Sequence, residues 1–212
     1  MRGPELSVLS YNVRGLRGDL GAMTSAVRAA NPDVVVIQEG PRRLRWRTKS
    51  ADLGNRFGLL YAGGGLPSLG NLVLVSFRVS VHEAWYVQYP LIPGRLLRGA
   101  VLVRCSVAGA PFVVVGTQLT PDPEHRPAQA AILATVLSDV DEPVVMAADV
   151  NDVHTSVAWR LLAQNRTEVG DAPLFVDPHI EVDRHELLDT VLTRRASAHL
   201  PITARLHLPE PK

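Results

Sequence analysis

The chain has 212 residues, 46% of them apolar and 20% charged, with a net charge of +1. That length fits one domain over residues 1–212, with enough apolar residues for a substantial core and no charge excess of the kind that keeps a chain disordered. The near-neutral balance excludes a grip on nucleic acid through overall charge. Cys105, the sole cysteine, excludes an intrachain disulfide or a thiolate zinc site.

No apolar run is long enough to cross a bilayer as a helix. Met1-Arg-Gly-Pro4 leads into strand-like residues without a secretory pattern, so a reducing, cytoplasmic compartment is expected. Nothing in the composition indicates an oligomeric state.

In chain order, residues 6–11 read as a strand ending at Asn12. Residues 21–30 read as a helix stopped by Asn31-Pro32. Residues 33–37 form an apolar run too uniform for a half-solvated strand. Residues 61–65, Tyr-Ala-Gly-Gly-Gly, read as a loop, and residues 72–76 as a strand after Gly70-Asn71. The runs 99–106 and 112–117 flank Ala108-Gly-Ala-Pro111 and predict a β-hairpin. Residues 127–140 predict a helix, 143–148 a buried strand, 156–164 a helix, and 188–192 and 202–208 two further strands. Strands outnumber helices and hairpins mix with crossovers, which suggests two packed sheets with helices outside.

The informative feature is where polar residues fall. Asn12, Glu39, Gln118, Asp149 and Asn151 each lie at the end of an apolar strand. Any one has an ordinary explanation, because Asn and Asp are favoured where strands stop. Together they mark the edge at which α/β folds assemble active sites. Asp149 and Asn151 are two apart, so an extended segment would point both the same way.

Ser10-Tyr-Asn-Val-Arg14 and Pro32-Asp-Val-Val-Val-Ile-Gln-Glu39 resemble the opening motifs of the endonuclease/exonuclease/phosphatase superfamily, the deoxyribonuclease I-like fold. Gly70-Asn71, Gly116-Thr-Gln-Leu119, Ala148-Asp-Val-Asn151, Leu188-Asp-Thr-Val-Leu192 and Ser197-Ala-His-Leu-Pro201 follow in the order of that family. The resemblance implies an α/β fold, a four-layer α/β/β/α sandwich of two mixed sheets flanked by helices. It also implies a metal-dependent phosphoesterase acting on a phosphodiester or phosphomonoester.

By similarity, Glu39 would be the principal ligand of Mg²⁺ (or Mn²⁺), with Asn12 supporting it. Asp149 would orient or deprotonate the attacking water. Asn151 would hydrogen-bond a phosphoryl oxygen, and His199 would contact the phosphate with its ring fixed by Asp189. The chain departs from the family pattern twice. Gln118 stands where the family usually has histidine, which removes a possible proton donor but leaves an amide able to donate to a phosphoryl oxygen; Ala198 stands where the family usually has a carboxylate, which implies weaker metal binding.

Arg42, Arg43, Arg45, Arg47 and Lys49 crowd the segment after Glu39. They either border the cleft and collect phosphates or form a solvated surface loop. Arg95 and Arg98 are further phosphate contacts on this reading, with Asn71 and His154 as candidate substrate contacts. Few aromatic residues are available to stack on bases, so a small phosphorylated molecule is as consistent with the sequence as nucleic acid. Two alternatives to hydrolysis are a module that binds a phosphorylated ligand without cutting it, and a biosynthetic enzyme using the same pocket.

Overall fold

Strands that are apolar on both faces need cover on both faces. The computed structural model, which describes residues 2–170 and 172–211, supplies it with four layers. In chain order the main elements are β1 (Glu5–Asn12), α1 (Leu20–Ala30), β2 (Val34–Gln38), α2 (Trp46–Phe57), β3 (Leu60–Gly64), β4 (Leu72–Val75), β5 (Val79–Gln88), β6 (Gly99–Val107) and β7 (Ala110–Gln118). There follow α3 (Arg126–Ser138), β8 (Val144–Asp149), α4 (Val157–Ala163), β9 (Thr167–Glu168), β10 (Leu174–Val176), β11 (Glu181–Leu187), α5 (Val191–Ala196) and β12 (Ile202–His207). One six-stranded sheet runs β11-β12-β1-β2-β4-β3, the other β5-β6-β7-β8-β10-β9. Each is mixed, with a single parallel pair near its centre: β1 with β2, and β7 with β8.

The period-two alternation of each strand divides its side chains between two cores. Val8, Val36, Val73, Val101, Val114 and Val145 fill the space between the sheets. Leu9, Tyr11, Val35 and Ile37 turn outward to meet Met23 and Val27 of α1 and Leu53 and Phe57 of α2. On the other side Leu102, Val115 and Met146 pack against Leu133 of α3 and Trp159 of α4. The four-layer sandwich expected from the sequence is therefore the fold. No helix among the described residues is long and apolar enough to cross a membrane.

The helix ends follow ordinary capping chemistry. The Asp19 Oδ1 accepts from the Ala22 N–H at 2.9 Å, and Asn31 closes α1 in a left-handed conformation (φ 45°). Ser156 Oγ caps α4 by accepting from the Trp159 N–H.

Three expectations are corrected. Residues 60–64 form strand β3 rather than a loop, because Gly63 lies where a Cβ would stand 3.0 Å from Ala84 of the opposing sheet; the glycines allow close approach instead of a turn. Residues 188–192 are not a strand. Thr190 and Thr193 form a reciprocal capping box that starts α5 at Val191, and the strand lies earlier, as the polar, exposed edge β11. The arginine-rich segment after Glu39 leads into helix α2, which buries Trp46, Leu53 and Phe57, so it is not simply a surface loop.

The sheets approach closely where β2 faces β7. A Cβ built on Gly116 would lie 2.7 Å from Val36 Cγ1 and 3.2 Å from Val101 Cγ1, with no flexible chain end to yield. Gly116→Ala should therefore cost about 1–3 kcal/mol through overpacking, read as a fall in Tm by circular dichroism. An unchanged Tm would show that the sheets can separate freely at this point.

Candidate active site

The two parallel pairs end at the same edge of the sandwich. In the first sheet Asn12 is in register with Gln38, so Glu39 begins the loop beside it. In the second, Gln118 is in register with Asp149. The close approach at Gly116 carries these ends together across the sheets. Four side chains from four strand ends then meet.

Asn12 Nδ2 donates to Asp149 Oδ2 at 2.7 Å and to Glu39 Oε1 at 3.2 Å. Gln118 Nε2 donates to the same two oxygens, each at 2.9 Å. Two carboxylates from different sheets are thus bridged twice by neutral amides. The Gln118 Oε1 accepts in turn from Arg98 Nη1, so the guanidinium stands behind the amide and beside both acids.

Backbone contacts hold this arrangement in place. Glu39 adopts φ 53°, a left-handed conformation that is costly for a residue with a side chain. Its carbonyl accepts from the Gly15 N–H at 2.8 Å, and the next amide, Gly40 N–H, donates to Gly70 O at 2.7 Å. The Gly99 carbonyl accepts from both Asn71 Nδ2 (2.8 Å) and Thr117 Oγ1 (3.1 Å), which fixes the residue following Arg98.

Burial pushes the Glu39 carboxyl upward. The Gln118 and Asn12 donors, with the positive charge of Arg98 and His199, outweigh that effect and hold it below its ordinary value. Burial and the neighbouring Arg42 lower Arg98, which as a guanidinium still carries its charge at neutral pH.

The other sequence-derived candidates divide into those at this cluster and those away from it. Asn151 lies at its rim, but not in an extended pair with Asp149. Its φ is 53°, its N–H donates to Asp149 Oδ1 at 3.3 Å, and its side-chain Nδ2 donates to Leu119 O at 2.9 Å. His199 is exposed at the same edge. Ser197 Oγ donates to Asn12 O at 2.9 Å and accepts from the His199 N–H at 3.2 Å, which ties the His199 turn to the end of β1.

Five further candidates sit otherwise than expected. Asp189 does not fix the His199 ring, because both its oxygens are taken by Arg194, at 2.5 and 2.7 Å, and this pairing lowers its carboxyl. Asn12 turns its amide nitrogen to the carboxylates and its Oδ1 to the Arg14 N–H at 3.0 Å, so in this arrangement it positions the acids instead of offering an oxygen to a metal. Asn71 is buried, with Nδ2 spent on Ser68 O and Gly99 O, so it braces the approach to Arg98 and does not face a substrate. Arg95 pairs with Asp122 at 3.2 Å, and His154 is exposed with its ring edge-on to Trp159 at 6.4 Å; neither reaches the acids.

Two carboxylates within reach of the same two amide nitrogens bring together hard oxygen ligands of the kind that Mg²⁺ takes, an ion that uses few protein carboxylates and keeps several waters. A cleft of about 720 Å³ opens directly from Glu39. Arg42, Arg43 and Lys49 line it as the first alternative above expected, but Arg45 and Arg47 are not among its walls. Arg14, Arg17 and Arg56 also line it and had drawn no attention in the sequence. The available signal was Arg14, two residues beyond Asn12.

Removing the Gln118 donors should raise the Glu39 pKa. Because the folded value is depressed, the carboxylate contributes stability above its unfolded value and loses it as pH falls through the folded one. In Gln118→Met that acid loss should begin at higher pH, as followed by NMR of the labelled glutamate carboxyl carbon. A titration that did not move would show that Asn12 and the nearby positive charges hold the carboxyl down without Gln118.

Comparison with known proteins agrees with this fold. The model of the Endonuclease/Exonuclease/phosphatase family matches residues 9–195. No curated protein matches the chain. Among solved structures, TDP2 of D. rerio in complex with a single-strand DNA product superposes with a TM-score of 0.75 at 17% identity, over 95% of this chain and 98% of that one. A mannosyl-6-phosphatase of Bacteroides thetaiotaomicron gives 0.78 at 15%, over 95% and 99%. The human nocturnin catalytic domain with bound sulfate gives 0.78 at 15%, over 96% and 94%. At such identities these likenesses concern the fold.

Proposed function

The chain belongs to the endonuclease/exonuclease/phosphatase family, and from that membership we propose that it is a divalent-metal-dependent phosphoesterase. One observation carries the reading: Asn12 and Gln118 each donate to both Glu39 and Asp149, which gathers two carboxylates beside Arg98, with Glu39 opening onto a cleft. Acids brought this close without direct cationic pairing are poised for an ion and a charged substrate.

Glu39 would hold Mg²⁺ or Mn²⁺, with the Asp149 carboxylate close by across the bridging amides. The bound ion would neutralise the phosphate and polarise its P–O bonds. The chain's own groups account for the rest. A water oxygen attacks phosphorus as the P–O bond to the leaving group breaks, and Asp149 orients the water and accepts its proton. The Arg98 guanidinium and the free N–H of the Asn151 amide stabilise charge on the phosphoryl oxygens. The leaving oxygen takes a proton from His199, which lies at the same edge.

Gln118 has a physical rationale on this reading. A neutral imidazole carries one N–H and could not donate to both carboxylates, whereas an amide nitrogen carries two. Glutamine therefore serves as a bridge, while its oxygen receives Arg98.

A second reading, a module that binds phosphate without cutting it, has its own support. Ala198 offers no carboxylate, and Asp189 is committed to Arg194. The substrate class does not follow from the fold, because relatives include a protein holding single-strand DNA and one that is a sugar phosphatase.

Hydrolysis of bis-p-nitrophenyl phosphate and p-nitrophenyl phosphate, with Mg²⁺ or Mn²⁺ and with chelator, separates the two. Turnover should require metal and fall by about 10²-fold or more in Glu39→Ala and Asp149→Ala, with Ala198→Asp raising it. No turnover in the unmodified chain, with activity gained only in Gln118→His/Ala198→Asp, would favour the binding module.

A further inference from the structure

The cleft beside Glu39 is unusually cationic for a chain whose net charge is only +1. Arg14, Arg17, Arg42, Arg43, Lys49 and Arg56 line it together with Arg98, against only Glu39 and Asp52. Asp52 approaches Arg56 at 4.0 Å, and Glu39 is occupied by the bridging amides. Arg14, Arg17, Arg43 and Lys49 have no acidic partner among the described residues. Like charges crowded in this way repel, so the cluster is most stable when an anion sits among them.

The cations are arranged by local structure. Lys49, Asp52, Leu53 and Arg56 follow helical spacing and present one face of α2 to the cleft. From Lys49 to Arg56 that face extends about 10 Å, so it reaches well beyond a single phosphate at Glu39. Opposite it, the turn carrying Arg14 and Arg17 has three successive left-handed residues: Arg14 (φ 47°), Gly15 (φ 68°) and Leu16 (φ 60°). Such backbone is costly outside glycine and is concentrated in ligand clamps. It is held by the Arg14 N–H on Asn12 Oδ1 and the Gly15 N–H on Glu39 O, so the turn is tied directly to the reacting centre.

We propose that this cleft is a second anion subsite, which selects a small substrate bearing at least two phosphate groups. One group would lie at the Glu39–Asp149 centre and another between the Arg14–Arg17 turn and α2. The proposal rests on the phosphoesterase reading for its first group and on the cleft alone for its second. A small molecule is favoured over a nucleic acid strand because no aromatic residue lines the cleft, and single-stranded nucleic acid is generally gripped by stacking its bases on aromatic rings. The volume of about 720 Å³ also falls in the range of small-molecule sites.

The test is calorimetric titration of the full chain in chelator, so that no catalysis is read. The probes are inositol hexakisphosphate, inorganic phosphate and a short single-stranded oligodeoxynucleotide. Arg17→Ala/Lys49→Ala is compared with a distant double change of equal charge, Arg160→Ala/Arg184→Ala. The hexakisphosphate should bind at one site and far more tightly than phosphate. Each cation removed from the cleft should weaken it about tenfold, and the distant pair should change it little.

Equal weakening by both double variants, or no preference over phosphate, would overturn the proposal. Tighter binding of the oligonucleotide with the same sensitivity to Arg17 and Lys49 would assign the cleft to nucleic acid instead. Because hydrolysis is not measured, failure here is distinct from failure of the phosphoesterase reading.

Discussion

Two negative charges that belong to different sheets are held at one point, and the architecture of the site depends on that juxtaposition. Glu39 follows the last residue of a strand in one sheet, and Asp149 ends a strand in the other. Left alone they would repel across a half-buried space, where repulsion is stronger than in water. Asn12 and Gln118 offset it with four N–H···O contacts, and Arg98 adds its charge from behind. The depressed Glu39 carboxyl follows directly. Gly116 belongs to the same arrangement, because a Cβ there would stand 2.7 Å from Val36 Cγ1 and press β7 away from β2.

This view changes the meaning of the departures from the family pattern. Gln118, which looked in the sequence like the loss of a proton donor, forms the connection between the two sheets and Arg98. Ala198 has no such compensation in the structure. Asp189, expected to orient His199, is instead the partner of Arg194 across the start of α5. His199 is therefore placed by the Ser197 turn rather than by a carboxylate.

Much of the fold was legible because its central strands are buried on both faces and carry uninterrupted apolar runs. The same runs located Asn12, Glu39, Gln118 and Asp149, since a buried strand must end at an edge. What escaped detection lies where tertiary context outweighs local pattern. β5 and β11 are exposed edge strands: β11 is largely polar and β5 interleaves apolar with polar residues, so neither shows the uninterrupted apolar run of the central strands. The Thr190–Thr193 capping box starts a helix where the apolar residues suggested a strand, and that helix brings Arg194 to Asp189. Asn71 read as a site residue from its place in a motif, yet its burial makes it a brace for Arg98. The cationic cleft needed α2 to fold before Lys49 and Arg56 could be seen to share a face with the turn at Arg14.

The claim on which all of this converges is that the Glu39–Asp149 pair forms a divalent-cation site. Electron paramagnetic resonance of Mn²⁺ titrated into the chain reads it without any substrate. The account predicts one bound ion per chain, lost in Glu39→Gln and weakened in Asp149→Asn. Binding of equal strength in Glu39→Gln, or no bound ion in the unmodified chain, would contradict it.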